Sequence, residues 1–290
     1  MSINFCHISP TPHLSQLTAF NGSHLLLAHL IEEDPHYQEF YAKLDDGREK
    51  IMDNSGFEMF KMGREMYNPS KLVQMAASVH ADIIVLPDYP MQPAHVTMDA
   101  AAKMLPVFKD NGFGAFYVPQ SEVGDLEGYL TSMNWALNNP DIKVIGLSIL
   151  GCPIALGMKE QKFDSLDQID GAYKMQRFLS RWKILSIMKE RGMLDERAVK
   201  KFHCLGLVDG PNEIDLLQEF VPYIRSWDTS SAVWLGLSGN MTYDSSPTGL
   251  RNGKYEKEVD FDFSTSDADR INKAISNIQF INSKPGITKL

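Results

Sequence analysis

The chain has 290 residues, of which 43% are hydrophobic and 22% are charged, and this composition excludes a disordered, collagen-like or coiled-coil protein. Its 28 Lys and Arg against 37 Asp and Glu give a formal net charge of −9, which argues against a protein that coats nucleic acid through bulk positive charge. No uncharged apolar stretch reaches the roughly 18 residues of a membrane span, and Cys6, Cys152 and Cys204 form no closely spaced pair. We therefore expect a cytoplasmic protein without a membrane partner, a disulfide framework or a zinc site built from cysteine pairs.

Eight short apolar runs follow one another along the chain and predict eight β-strands. They lie at 4–8, 25–31, 50–53, 82–87, 114–118, 143–149, 202–208 and 223–227. Apolar residues at helical spacing predict helices between most of them, at 70–79, 97–109, 126–137 and 213–220. The first gap contains Pro10, Pro12 and Gly22, so the first helix is the least well defined. Eight strands alternating with helices predict an α/β fold, a single (β/α)₈ TIM barrel spanning residues 1–290.

Two segments are longer than this repeat. The first, 151–201, separates strands six and seven and contains a predicted helix at 172–191. Residues 171–201 carry nine basic and three acidic side chains, a net charge of +6, so we predict a helical basic insertion. The second segment, 238–290, begins with a polar loop and ends with a closing helix at 264–282, for which Thr265 or Ser266 is the expected N-cap.

Carboxylates follow four of the predicted strands, where the active site of such a barrel forms. These are Asp53, Asp88, Asp209 and Asp228. A ring of carboxylates can bind a divalent metal ion, or it can supply the nucleophile and the acid/base of a glycosyl transfer. No HxH or HExxH pair supports a metal site. For any one of these residues, capping of the following helix is an equally good interpretation.

Five segments at predicted strand ends resemble, in the same order along the chain, the guanine transglycosylases. These enzymes exchange guanine for a 7-deazaguanine base in tRNA, and phage and bacterial relatives act on DNA. The segments are 52–58 (MDNSGFE), 84–88 (IVLPD), 118–120 (VPQ), 145–148 (IGLS) and 226–231 (SWDTSS).

The resemblance implies a role for each matched residue. Asp228 corresponds to the nucleophile, which holds the sugar as a covalent glycosyl intermediate, and Asp53 corresponds to the general acid and base. The implied base-binding residues are Asp88, Gln120, Gly146, Leu147, Ser148 and Phe57, and backbone N–H groups near Gly146 and Leu147 would complete the pocket. In chemical terms a carboxylate suits the paired N–H donors of guanine, and an amide can donate to its carbonyl. No cofactor is expected.

Departures from the family pattern bear on the substrate. The tRNA-modifying branch carries a zinc site of three cysteines and one histidine near its C-terminus, and this sequence has no cysteine after Cys204. Archaeal relatives add an RNA-binding domain, for which we find no segment. A family glycine is replaced by Asn54 or Ser55, depending on the alignment, and a family glutamine by Glu58. These departures favour DNA, with the target guanine unstacked or single-stranded, together with a 7-deazaguanine base, and leave a homodimer open.

The basic helix is the expected contact with the nucleic-acid backbone, through Lys174, Arg177, Arg181 and Lys183. Its alternative is an ordinary solvated amphipathic helix. For the whole chain, the alternatives are a tRNA-guanine transglycosylase, a non-catalytic barrel that acts as a binding scaffold, and a hydrolytic glycosylase or metal-dependent hydrolase. A phage-encoded protein of this kind would act in the host cytoplasm.

Overall fold

Eight parallel strands form one nearly closed barrel, as the computed structural model shows for residues 2–56, 58–59, 63–158, 171–207, 210–239, 241–243 and 260–289. The strands are β1 (Asn4–His7), β2 (His24–Leu27), β3 (Lys50–Asp53), β4 (Ile83–Val85), β5 (Gly114–Tyr117), β6 (Ile142–Ser148), β7 (Phe202–Leu205) and β8 (Ile224–Thr229). Each strand pairs with the next one in sequence from β2 to β8, and β8 pairs with β1. The prediction of a (β/α)₈ barrel is confirmed.

β1 and β2 have no ladder pairing among the described residues, and hydrogen bonds from the segment just before β2 join them instead, including one from the His7 amide to Asn21 Oδ1 at 2.8 Å. The Gly22 amide donates to the Phe5 carbonyl oxygen at 2.8 Å. A Cβ atom at Gly22 would lie 3.1 Å from both the Asn4 Cα and the Phe5 nitrogen. Only glycine allows the backbones to approach this closely without a shift.

Helices cover the outside of the barrel. They are α1 (Leu14–Leu17), α2 (Ala28–Glu33), α3 (Pro35–Lys43), α4 (Pro69–Ser78), α5 (Ala94–Asp110), α6 (Leu126–Leu137), α7 (Gly151–Ala155), α8 (Gly171–Glu190), α9 (Asn212–Leu216), α10 (Ser231–Leu237) and α11 (Ala268–Asn282). Side-chain oxygens of Asp34, Asn68, Asp125 and Asp267 cap α3, α4, α6 and α11. None of these helices has both the length and the apolar character that crossing a membrane requires.

Several element boundaries differ from the predictions. The apolar run at 25–31 is not one strand, because β2 ends at Leu27 and His29 lies in α2. A short apolar run does not by itself distinguish a strand from a buried helix. The closing helix is capped by Asp267 instead of Thr265 or Ser266, and α10 was not predicted. Residues 159–170 of the basic insertion and most of the loop after β8 lie outside the described residues.

Strand side chains alternate between two apolar cores. One core fills the inside of the barrel, and the other lies between the strands and the helices. Ile51 belongs to the inner core and Met52 to the outer one, and Phe116 and Tyr117 divide in the same way. Because side chains alternate along a strand, Asp53 shares the inner face with Ile51. Polar residues on that face at the last strand positions therefore meet at the carboxyl end of the barrel.

Candidate active site

Asp228 is held on the inner face of β8 by two hydrogen-bond donors. The Nε2 atom of His203, on β7, lies 3.0 Å from Asp228 Oδ1, and the Gly206 amide donates to the same oxygen at 3.0 Å. His203 Nδ1 lies 2.7 Å from Ser226 Oγ, so the hydroxyl orients the ring. Only 5% of Asp228 is exposed. A carboxylate can only accept hydrogen bonds, so both donors suit its ionised form.

Asp53 lies at the end of β3 in an acidic environment. Burial raises the pKa of its carboxyl well above the ordinary value, and the nearby charges of Glu58, Asp88 and Asp228 raise it further. The Ser55 amide donates to Asp53 Oδ2 at 3.1 Å and opposes this rise only in part. A buried carboxyl with neighbouring carboxylates tends to hold its proton, which is the state that a general acid needs. Asp53 and Asp228 both face inward at the carboxyl ends of their strands, β3 and β8.

The turn after Asp53 has a strained backbone. Ser55 has a φ of 55°, in the left-handed region that non-glycine residues rarely adopt. The His29 amide donates to Ser55 Oγ at 3.1 Å, and His29 Nδ1 lies 2.9 Å from the same oxygen. Residues held in such conformations by their surroundings are concentrated at functional sites.

Asp88, Asn54 and Gln120 form a second polar group at the mouth of the barrel, which is the end where the strands have their carboxyl termini. Asn54 Nδ2 donates to Asp88 Oδ1 at 3.0 Å, and Gln120 Nε2 donates to Asp88 Oδ2 at 2.6 Å. Burial raises the pKa of Asp88, and these two bonds oppose the rise. Gln120 is buried, and its Oε1 atom has no hydrogen-bond partner in the described residues. A buried acceptor without a partner is costly to the fold.

The residues predicted on β6 differ in what they offer to a ligand. Leu147 is fully buried in the outer core, so its side chain faces away from the mouth. Ser148 is half-buried at the strand end, and its Oγ accepts a hydrogen bond from the Leu150 amide at 3.1 Å. Phe57 lies outside the described residues. Of the residues predicted on β6, Ser148 is therefore the one with a polar side chain at the carboxyl end of the strand.

Gly146 faces the packed interior. A Cβ atom there would lie 2.9 Å from atoms of both Leu205 and Phe116 and 3.0 Å from an atom of Val118. We therefore expect Gly146→Ala to lower the free energy of unfolding by about 1–3 kcal/mol through overpacking. Urea denaturation measures this loss. As a control, Gly47→Ala, at an open position with a φ of 72°, reports the cost of backbone strain alone. Equal losses in the two variants would contradict the packing argument.

Arg181 corrects the prediction for the basic helix. Its side chain is fully buried, and NH2 donates to the carbonyl oxygens of Leu205 at 2.6 Å and Gly206 at 2.8 Å. It also forms an ion pair with Glu213 at 3.2 Å, and both side chains have 0% exposure. Arg181 is therefore not a surface contact for phosphate.

The rest of the basic segment is largely neutralised or distant from the mouth. Lys189, Arg191 and Arg197 form ion pairs with Glu219, Glu127 and Asp195. Lys200 and Lys201 donate to the carbonyl oxygens of Ile224 and Ile142, at the amino ends of β8 and β6. Half-buried Arg177 and exposed Lys183 have no ion-pair partner among the described residues, and the side chain of Lys174 lies outside them. The net charge of +6 thus overstates the charge available to a nucleic acid.

Two contacts of the site were not foreseen from the sequence. His203 and Gly206 were not assigned to Asp228, although β7 precedes β8 in the predicted barrel and His203 alternates with the apolar Phe202 and Cys204. The predicted alternative of helix capping does not describe Asp228, which accepts its hydrogen bonds from β7 and the turn after it. Within the described ranges, no group of three or more His, Cys, Asp or Glu residues is arranged to hold a metal ion.

Comparison of the sequence with protein-family models gives no match, and comparison with curated proteins gives none either.

Proposed function

We propose that this protein is a DNA guanine transglycosylase, which exchanges guanine in DNA for a 7-deazaguanine base. One observation carries the proposal: Asp53 and Asp228 both stand on the inner face of the barrel at the carboxyl ends of β3 and β8, and His203 and Gly206 bind one oxygen of Asp228. Burial and neighbouring carboxylates raise the pKa of Asp53, which suits a proton donor. A glycosyl transfer with a covalent intermediate needs one carboxylate as nucleophile and one carboxylic acid as proton donor. The order of the five matched segments supports guanine as the base, and the departures from the tRNA branch support DNA.

In the first step, an oxygen of Asp228 attacks the anomeric carbon of the target nucleotide. The carbon–oxygen bond forms, the bond to the guanine nitrogen breaks, and the electron pair leaves with guanine. Asp53 gives its proton to the departing base and becomes a carboxylate. In the second step the ring nitrogen of the incoming base attacks the same carbon, its proton passes to Asp53, and Asp228 is released. Both residues return to their starting states.

Asp88 and Gln120 are the proposed contacts to the base. We expect Asp88→Ala to raise the KM for the incoming base by about 10–100-fold, because one or two hydrogen bonds to a charged group are lost. The turnover number should change less, since Asp53 and Asp228 remain. Steady-state kinetics with varied concentrations of labelled base measures the effect. A KM that equals that of the wild type, with a reduced turnover number, would contradict a role in binding.

The polymer contact is proposed for the first half of α8. α8 is followed in the chain by the amino end of β7, which is at the end of the barrel opposite the mouth. The first turns of α8 are therefore its part nearest the mouth. They carry Lys174 and Arg177, and Lys183 lies further along. A target base must also leave its stack to reach the mouth, which costs a few kcal/mol.

The proposal is tested by incubating the protein with tritiated guanine or 7-deazaguanine and one polymer at a time. The polymers are single-stranded DNA, duplex DNA and tRNA. We expect label in DNA, most readily in single-stranded DNA, with one guanine released for each 7-deazaguanine incorporated. Label in tRNA alone would replace DNA by tRNA in the proposal. Absence of label in every polymer would favour a non-catalytic barrel.

A further inference from the structure

The fully buried Arg181 lies next to the turn that contacts Asp228. Placing a guanidinium ion in the interior is costly unless it is paired and hydrogen-bonded. Glu213 supplies the opposite charge. The guanidinium also lies over the Trp227 ring, 5.4 Å from its centroid. Both hydrogen bonds that the Arg181 guanidinium donates among the described residues go to the main chain of the turn.

Arg181 and Asp228 bind opposite ends of the same peptide group. The peptide between Leu205 and Gly206 carries the Leu205 carbonyl, which accepts from Arg181, and the Gly206 amide, which donates to Asp228. In a trans peptide the C=O and N–H point in opposite directions, so the donor of Arg181 and the acceptor of Asp228 fix the plane between them. A hydrogen bond at the carbonyl also polarises the amide and strengthens the bond that it donates.

The following peptide is held as well. The Gly206 carbonyl accepts from Arg181 and, at 2.7 Å, from Trp227 Nε1. Gly206 has a φ of 74°, a conformation that suits glycine, and a Cβ atom there would lie 3.0 Å from Ile149. The Leu205 carbonyl also accepts a hydrogen bond from the Ile149 amide at 3.2 Å. The other bonds that define this glycine turn come from the side chains of Arg181, Asp228 and Trp227.

We propose that Arg181 is a positioning residue for Asp228. It orients the Leu205–Gly206 peptide so that the Gly206 amide, together with His203, binds Asp228 Oδ1 and leaves Oδ2 to attack the sugar. The inference rests on the proposed function for the identity of the reaction. The positioning itself is a property of the folded protein and can be measured without substrate.

The test follows the Gly206 amide in protein labelled with carbonyl-¹³C leucine and ¹⁵N glycine. This labelling selects the four Leu–Gly peptides of the chain. The peptides Leu150–Gly151, Leu156–Gly157 and Leu235–Gly236 are internal references. In Arg181→Lys, which keeps the charge but loses the planar guanidinium donor, we expect the Gly206 signal to shift. Its protection from hydrogen exchange should fall about tenfold, the worth of roughly one hydrogen bond.

The same variant should lower the turnover number for base exchange by about 100-fold while the KM for the base stays within about twofold, because the nucleophile is misplaced but the base contacts remain. Arg191→Lys, in a surface ion pair on the same chain segment, is the matched control and should change neither quantity. If Arg181→Lys does not fold, the charge-neutral double variant Arg181→Met with Glu213→Gln replaces it, since removing both charges avoids leaving one buried alone.

A Gly206 signal that moves no more than the three reference peptides would overturn the inference, whatever the rate. An unchanged turnover number with a shifted Gly206 signal would also overturn it. Wild-type protein that exchanges no base, but whose Gly206 signal responds to both Arg181→Lys and Asp228→Asn, would refute the proposed function and retain the positioning of Asp228.

Discussion

Asp228→Asn is expected to lower the rate of base exchange by at least about 10⁴-fold, because an amide oxygen cannot replace the attacking carboxylate. Wild-type protein mixed with DNA and denatured during turnover should show a covalent protein–DNA adduct on a denaturing gel. The variant should show none. An adduct that forms in the variant would mean that another residue is the nucleophile.

The fold should tolerate this substitution. His203 and Gly206 both donate to Oδ1, and asparagine keeps an oxygen in that place with nearly the same shape. We expect the free energy of unfolding to remain within about 1 kcal/mol of the wild type, as measured by urea denaturation. Asp215→Asn, which removes a surface ion pair with Lys284, is the matched control and should leave adduct formation intact. A large loss of stability in Asp228→Asn would make the missing adduct uninformative, and the rate would then be compared per folded molecule.

The positions of Asp53 and Asp228 could be predicted from the sequence because they depend on the alternation of side chains along a strand. Asp53 and Asp228 each follow an apolar strand run, and strands in a barrel deliver their last inward-facing residues to one end. The eight strand runs could be recognised for the same reason. The contact of His203 with Asp228 depends instead on the register between β7 and β8, which shifts between Phe202 and His203. No pattern within one strand shows such a shift.

The error on Arg181 has a different origin. Charge composition placed it with the solvent-facing residues of α8, but Ile184, Leu185 and Met188 stand three, four and seven positions after it and are buried. That spacing places Arg181 on the apolar face of the helix. The sequence therefore contained the signal that Arg181 is buried. What it is buried against depends on how α8 packs on the end of β7, which only the assembled barrel defines.

Asp53→Asn is expected to change activity and stability in opposite directions. Without a titratable acid, base exchange should slow by about 10²–10⁴-fold, the usual contribution of general acid–base catalysis. The wild-type rate of guanine release should fall as the pH rises through the raised pKa of Asp53, since only the protonated carboxyl can donate. The residual rate of the variant should lack this dependence. Rates of guanine release measured between pH 5 and pH 9 test both statements.

The stability effect follows from the same raised pKa. The folded state binds the Asp53 proton more tightly than the unfolded state, whose pKa is near 3.8. Ionisation therefore costs stability, starting as the pH rises above about 3.8 and growing until it passes the folded-state pKa. Asparagine removes this cost, so the variant should be more stable than the wild type at pH 8, and the gain should be smaller at pH 5.

Asp46→Asn is a control for which we expect the opposite change in stability at pH 8. Burial raises the pKa of Asp46, but the hydrogen bonds to His24 and Arg48 and their charges lower it more, so the pKa is below its ordinary value. Its ionised form therefore stabilises the fold above pH 3.8, and the variant should lose stability at pH 8. Urea denaturation of both variants at pH 5 and pH 8 compares the two. If Asp53→Asn is also less stable at pH 8, Asp53 is stabilised as an anion, and its assignment as the proton donor is wrong. A site that costs the fold stability while it speeds the reaction is what selection for catalysis produces.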